Sequence, residues 1–297
     1  MKSKVYFSRE ITPEKVVEMY KALGIELAGR VAVKLHSGEK GNQNFLGPEF
    51  WKPMIEAVNG TVVECNTAYG KAFDGVRDYT DSHLKLIEEH GWSKYFTVDL
   101  MDAEGPDIVW PVNNGHVLKS NQLGKNILNY DSMLVLAHFK GHPQGGYGGA
   151  LKQLSIGCAS RGGKALIHSG GRSDDNIKTW QMHAEQLEFC EAMADAASTV
   201  VEHFKGNIAF INVMKNLSVD CDCCSVAEDP CMADIGILAS LDPIAIDQAC
   251  IDKIYEAKDD PGQAHFIERV ETRKGVHTIE AAAELGFGSR EYELIEM

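Results

Sequence analysis

Short β-rich runs alternate with amphipathic helical stretches through the first half of the chain, and that alternation narrows the choice of fold more than any other feature. Val31-Ala32-Val33-Lys34-Leu35 has the branched, apolar character of a strand. From Pro48 to Val58 the apolar residues Phe50, Met54, Ile55 and Val58 fall on one helical face, and Thr61-Val62-Val63-Glu64-Cys65 returns to strand character. Strand, helix and strand in that order make a βαβ unit with parallel strands. A helix from Ser82 to His90 stopped by Gly91, a strand at 95–98 and the run Met133-Leu134-Val135-Leu136-Ala137 extend the pattern. Further on, the spacing predicts a long helix from Asn176 to Lys205, strands at 208–213 and 234–240, a helix opened by Pro243, and a charged helical tail from Asp259 that caps the fold. The fold class is therefore α/β: a mostly parallel or mixed sheet flanked by helices, Rossmann-like. No repeat, low-complexity tract or linker interrupts residues 1–297, so a single domain is expected, with lobes of about 1–130 and 131–297 as the alternative.

Charge sets the partners. With 29 basic against 43 acidic side chains the net charge is −14, which repels phosphate backbones and anionic lipid, so nucleic acid and membrane are not expected partners. No apolar run approaches about 18 residues and the first residues lack a signal-peptide core, so a cytoplasmic location is expected. A small-molecule ligand fits better, with a redox partner or a second copy of the chain as further options.

Chemistry-bearing residues gather in two places. Four of the eight cysteines lie between 221 and 231, as Cys221-Asp222-Cys223-Cys224 and Cys231. Thiolates are soft ligands that suit zinc, copper(I) or an iron–sulfur cluster, and a loop lets several sulfurs meet. Adjacent Cys223 and Cys224 point apart in an extended chain, so three of the four can share a metal; inert or disulfide-forming thiols are the alternative. Cys65, Cys190 and Cys250 read as small core residues. The second place is 137–152, which holds His138, His142, Gly148, Gly149 and Lys152 where an apolar strand ends, the position at which open α/β sheets collect ligands. Ten glycines fall between 141 and 171, a density that implies left-handed backbone or close approach to a ligand, and His168 lies in the same region. The loop 36–44 also follows a strand and reads equally as a ligand loop or a solvated turn.

Val33-Lys34-Leu35-His36-Ser37-Gly38-Glu39-Lys40-Gly41, the 137–152 stretch, Cys221-Asp222-Cys223, and Asp234-Ile235-Gly236-Ile237 with Asp242-Pro243-Ile244-Ala245-Ile246-Asp247 resemble a ferredoxin-associated family of uncharacterised domains. That resemblance implies an α/β fold and leaves the activity open; the C-x2-C-x2-C ferredoxin module carried by several members is not in this sequence. The spacing of His142, Lys152 and His168, with Gly148-Gly149 before the lysine, is more distantly similar to the lactate racemases. That likeness implies Lys152 as the anchor of a nickel pincer nucleotide, His168 as a metal ligand and His142 as the proton acceptor. Two departures accompany it. A Gly-x-His-Arg stretch corresponds here to Gly70-Lys71-Ala72-Phe73-Asp74-Gly75-Val76-Arg77, which keeps the arginine without the histidine, and an early Asp-x-Thr-Arg is replaced by His36-Ser37-Gly38-Glu39. The leading expectation is a metal-associated enzyme, an isomerase or oxidoreductase, acting on a small anionic substrate. In it His142, Lys152 and His168 are catalytic, Lys152, Gly148, Gly149 and His138 bind cofactor, and Cys221, Cys223, Cys224, Cys231 and His168 hold metal. The alternative is a noncatalytic iron–sulfur or metal-binding redox module on the Cys221 to Cys231 cluster.

Overall fold

A computed structural model describes residues 2–70 and 73–297. Strand β1 (Ser3–Ser8) leads through helix α1 (Pro13–Ala22) to β2 (Val31–Lys34), helix α2 (Pro48–Ala57) and β3 (Thr61–Glu64), and helix α3 (Thr80–Glu89) connects to β4 (Val98–Leu100). An antiparallel ribbon of β5 (Ile108–Pro111) and β6 (Ser120–Leu123) precedes β7 (Ser132–His138). A hairpin of β8 (Lys140–His142) and β9 (Gly146–Gly148) follows, then the short helix α4 (Ala150–Lys152), which runs on through a π-turn at Gln153–Gly157, and helix α5 (Arg161–His168). Helix α6 (Gln186–His203), β10 (Ile208–Met214), β11 (Gly236–Ser240), helices α7 (Pro243–Glu256), α8 (Gln263–Thr272) and α9 (Val276–Glu284), and β12 (Tyr292–Glu296) complete the chain.

Eight strands form one sheet in the order β12-β1-β11-β10-β7-β2-β3-β4. Every pairing is parallel except the two made by β11, which runs against both β1 and β10. Strand β7 is buried along its whole length, because its two faces serve two helical layers. Met133 and Val135 pack with Ala150, Leu151 and Ala194 of α4 and α6. Leu134 and Leu136 face the other way, onto Met19 of α1, Trp51 and Met54 of α2 and Ile87 of α3. Each such side chain contributes about 1.5–3 kcal/mol when fully buried. No helix among the described residues is long and apolar enough to cross a membrane.

The order places the site. From β2 the chain adds β3 and β4 on one side, then returns to lay β7 and β10 on the other, so β2 and β7 are neighbours at a topological switch point. Loops leaving their carboxyl ends diverge there and leave a crevice.

Four sequence expectations change. The helix expected over 176–205 is a 3-10 turn at Lys178–Gln181 followed by α6, because Glu185 and Glu188 form a capping box that starts a new helix. The strand expected at 95–98 begins at Val98, after a 3-10 turn at Trp92–Lys94. The tail is not helical throughout: β12 pairs in parallel with β1 at the sheet edge. The stretch after His138 is a hairpin and a helix rather than an open glycine loop.

Candidate functional site

A cleft of about 520 Å³ opens at the switch point. Lys34, His36, Glu64, Lys140, His142, Gly148, Gly149, Lys152, Lys164, His168, Cys223 and Cys224 contribute to its walls. The loop after β10 brings the cysteines there, held by the loop after β2. Asn42 donates through Nδ2 to the carbonyls of Cys221 and Cys224, the Glu39 amide donates to the Asp222 carbonyl at 2.8 Å, and Tyr69 donates through its hydroxyl to the Cys223 carbonyl at 2.9 Å. The 36–44 loop is thus a largely buried bracket for the cysteine loop, and its one histidine, His36, faces the cleft. Beneath it lies a network of buried charge. Lys34 pairs with Glu64 at 2.8 Å, and Arg77 pairs with Glu39 at 3.0 Å.

At the cleft wall, the sulfurs of Cys221 and Cys223 and a ring nitrogen of His142 lie within 4.8 Å of one another, His142 and Cys223 lining the cleft and Cys221 fully buried beside them. Cys224 donates its amide to the Cys221 carbonyl, and this tight turn directs Cys221 and Cys223 to the same centre. The Lys152 ammonium donates to Cys221 Sγ at 3.4 Å, and the Cys223 amide donates to the same sulfur at 3.4 Å. Burial pushes the Cys221 thiol well above its ordinary value. At Cys223 the Cys221 hydrogen bond lowers the pKa, but the Cys224 bond and burial push it up, to about 11. Burial would lower Lys152, and the Cys221 and Cys223 sulfurs reverse that, so its amine is held above its usual range.

His142 is the tip of the β8–β9 hairpin. Its Nδ1 accepts the amides of Gln144 at 3.2 Å and Gly145 at 2.7 Å, while Nε2 faces Cys223 Sγ at 3.8 Å. Burial and the Lys152 charge hold the ring well below its ordinary pKa, so it is neutral. A neutral ring whose Nδ1 accepts carries its proton on Nε2, and it therefore presents a donor to the sulfurs.

The remaining expected residues fall in different places. His168 lines the same cleft but is outside the three-donor group; its ring stacks on Phe189 at 4.9 Å, its Nδ1 has no partner, and burial and Lys152 lower its pKa to about 3. His138 is buried behind the cleft, with Nδ1 against Asp222 Oδ1 at 2.9 Å and Nε2 against the Lys215 carbonyl. Both partners accept, so its ring nitrogens are committed to holding the cysteine loop. Cys224 lines the cleft without joining the group. Cys231 is apart, its Sγ facing the Leu217 carbonyl at 3.4 Å against the core. Lys71 and Ala72 lie outside the described residues.

The glycines have mixed reasons. Gly148 and Gly149 border the cleft, but a Cβ on Gly149 would strike Asp247 Oδ1 at 2.4 Å, because that carboxylate already accepts the amides of Ala150 and Leu151. The amides at the start of α4 are therefore taken by the protein's own anion. At Gly141 a Cβ would meet the Val219 carbonyl at 2.3 Å, so this glycine lets the hairpin press on the cysteine loop. Sequence reading missed the structural weight of Asp247 and Lys164. An aspartate amid the apolar residues of α7, and a lysine after two glycines, were the available signals.

Comparisons place the chain among known proteins. It is similar to the lactate racemase apoprotein from Thermoanaerobacterium thermosaccharolyticum, with 12% identity and a TM-score of 0.42 over 70% of this chain and 50% of that one. It is also similar to a structural-genomics protein from Thermotoga maritima, with 10% identity and a TM-score of 0.43 over 92% of this chain and 59% of that one. The chain thus spans between half and three fifths of the length of these two structures. No curated protein matches it. The profile of the family described as Domain of unknown function (DUF362) matches residues 31–252, from β2 into α7, and takes in every side chain of the cleft, so the chain belongs to that family.

Proposed function

We propose that the protein is a metal-dependent enzyme that takes a small anionic substrate into the switch-point cleft. The observation that carries this reading is the convergence of Cys221, Cys223 and His142 within 4.8 Å, beside a half-buried Lys152 whose nearest polar partner is a thiol rather than a carboxylate. Two sulfurs and an imidazole are the donor set of a soft or borderline cation. The thiols fit that role once deprotonated. His142 joins them as a neutral imidazole, its proton passing from Nε2 to Nδ1 at the expense of the Gln144 and Gly145 contacts, so uptake releases protons from sulfur alone. A metal bound there supplies positive charge that polarises a substrate oxygen.

The protein's own groups supply the anion site. Lys34, Arg77 and Lys140 are balanced by Glu64, Glu39 and Asp222, with Lys140 Nζ at 2.8 Å from Asp222. Lys152 has no carboxylate to balance it among the described residues, so a negative group entering the cleft gains its charge without breaking an internal pair. In a chain of net charge −14 this cationic spot is inside the cleft, which selects small molecules over polymers. A redox module on four cysteines is less well supported, because Cys231 is engaged elsewhere.

Elemental analysis of protein purified without oxygen tests the reading. Stoichiometric metal that falls away in Cys221→Ser and Cys223→Ser supports it. Zinc alone, iron with acid-labile sulfide, or nickel with an added mass on Lys152 then names the cofactor. A folded protein that carries no metal and takes none up refutes it.

A further inference from the structure

The same cleft holds an amine of a different kind. Lys164 is buried and reaches the cleft wall, and its Nζ donates to the Ala159 carbonyl at 2.6 Å. Among the described residues it has no carboxylate within ion-pair distance, whereas Lys34 and Lys140 each have one. Asp102 is close enough to be felt, but its two oxygens already accept the amides of Asn66 and Arg161. The helix adds to the cost of a charge there. Lys164 lies in the first turns of α5, just after the Ser160 cap, with no acid in the first turn, so the ammonium would face the positive end of the helix dipole. Gly163 cannot yield, since a Cβ on it would overlap the Gln122 carbonyl at 1.9 Å. Burial lowers the Lys164 pKa. The two lysines of the cleft without a carboxylate partner thus differ in setting: Lys152 lies against a sulfur at the cleft wall, and Lys164, buried at a helix start, is placed to present a lone pair.

We propose that Lys164 is an imine-forming nucleophile and that the cleft's substrate is a small oxo acid, an aldehyde or ketone bearing a carboxylate. The assignment rests on the anion-binding reading of the cleft for its acid half only. The Nζ lone pair adds to the carbonyl carbon, a C=N bond replaces C=O, and both amine hydrogens leave with the carbonyl oxygen as water. The step needs no oxidant or reductant. Lys152 holds the carboxylate and so orients the carbonyl.

Reductive trapping tests this. Metal-stripped wild-type protein is incubated with glyoxylate and cyanoborohydride, with propionaldehyde in a parallel arm, and the modified lysines are mapped by peptide mass spectrometry. The expected result is a carboxymethyl group on Lys164, formed at least about tenfold faster than on any exposed lysine, and its absence in Lys164→Arg. The wild-type map decides even if that variant does not fold. Modification spread over surface lysines with Lys164 untouched overturns the assignment. Propionaldehyde labelling Lys164 as fast as glyoxylate overturns the acid half, and with it the anion reading, while the amine's reactivity stands. Because metal is absent throughout, neither result depends on the metal site.

Discussion

Replacing Glu64 by Gln removes one charge from the floor of the cleft and leaves Lys34 without its partner. The pair is 2.8 Å long, with side chains only 1% and 4% exposed. Burial alone would raise the Glu64 carboxyl; Lys34 and Arg77 overcome it and hold the pKa at about 2, against an ordinary 4.5. At about 1.4 kcal/mol per pH unit that gap amounts to about 3 kcal/mol in favour of the fold. Because the folded value is the lower one, the contribution is complete above pH 4.5 and is lost as pH falls toward 2. Glu64→Gln should therefore lose about 3 kcal/mol at pH 7, measured by urea unfolding, and its deficit against wild type should shrink in acid. Lys34→Met combined with Glu64→Gln should recover much of the loss, since the penalty is an uncompensated buried ammonium. A deficit below about 1 kcal/mol at pH 7, or a double variant no better than the single one, would refute the reasoning.

Other outcomes follow from the same geometry. Asp247→Ala strips the acceptor from the Ala150 and Leu151 amides and from Asn212 Nδ2 and should cost about 2–4 kcal/mol, read as a fall in melting temperature. Gly141→Ala forces the β8 hairpin off the Val219 carbonyl; it should weaken metal binding as well as stability, whereas a surface Gly24→Ala variant should leave metal binding unchanged. Because the Cys221 and Cys223 thiols are held up by burial and their neighbours, metal affinity should rise with pH. For two thiol protons released the rise is about a hundredfold per pH unit between pH 6 and 8, measured by chelator competition; a flat profile counts against thiol ligation.

The parallel half of the sheet was legible because β2, β3 and β7 announce themselves as apolar runs separated by helical periodicity. The reversal of β11 was not, since Gly236–Ser240 reads the same in either direction and only pairing with β10 and β1 fixes its sense. Strand β1 and its edge neighbour β12 carry too little apolar alternation to stand out. At the site, the sequence located both chemical stretches, and topology explains why they meet: one follows β7 and the other follows β10, its neighbour. What it could not reveal was the division of labour within them. Cys223 and Cys231 are the same residue type on one loop, yet one faces His142 and the other a core carbonyl. His138 and His142 stand four residues apart, but only tertiary partners make one a clamp for the cysteine loop and the other a wall of the cleft. Lys152 and Lys164 differ through a sulfur and a helix end that no spacing rule encodes.

Cobalt(II) titration of metal-free protein, followed by near-ultraviolet absorption, puts the convergence of sulfur and imidazole to its most direct trial. Intense sulfur-to-cobalt bands should grow to one equivalent, and they should vanish in Cys221→Ser and Cys223→Ser variants that melt like wild type. Bands that never form, or that survive both substitutions, would contradict a metal centre at these residues.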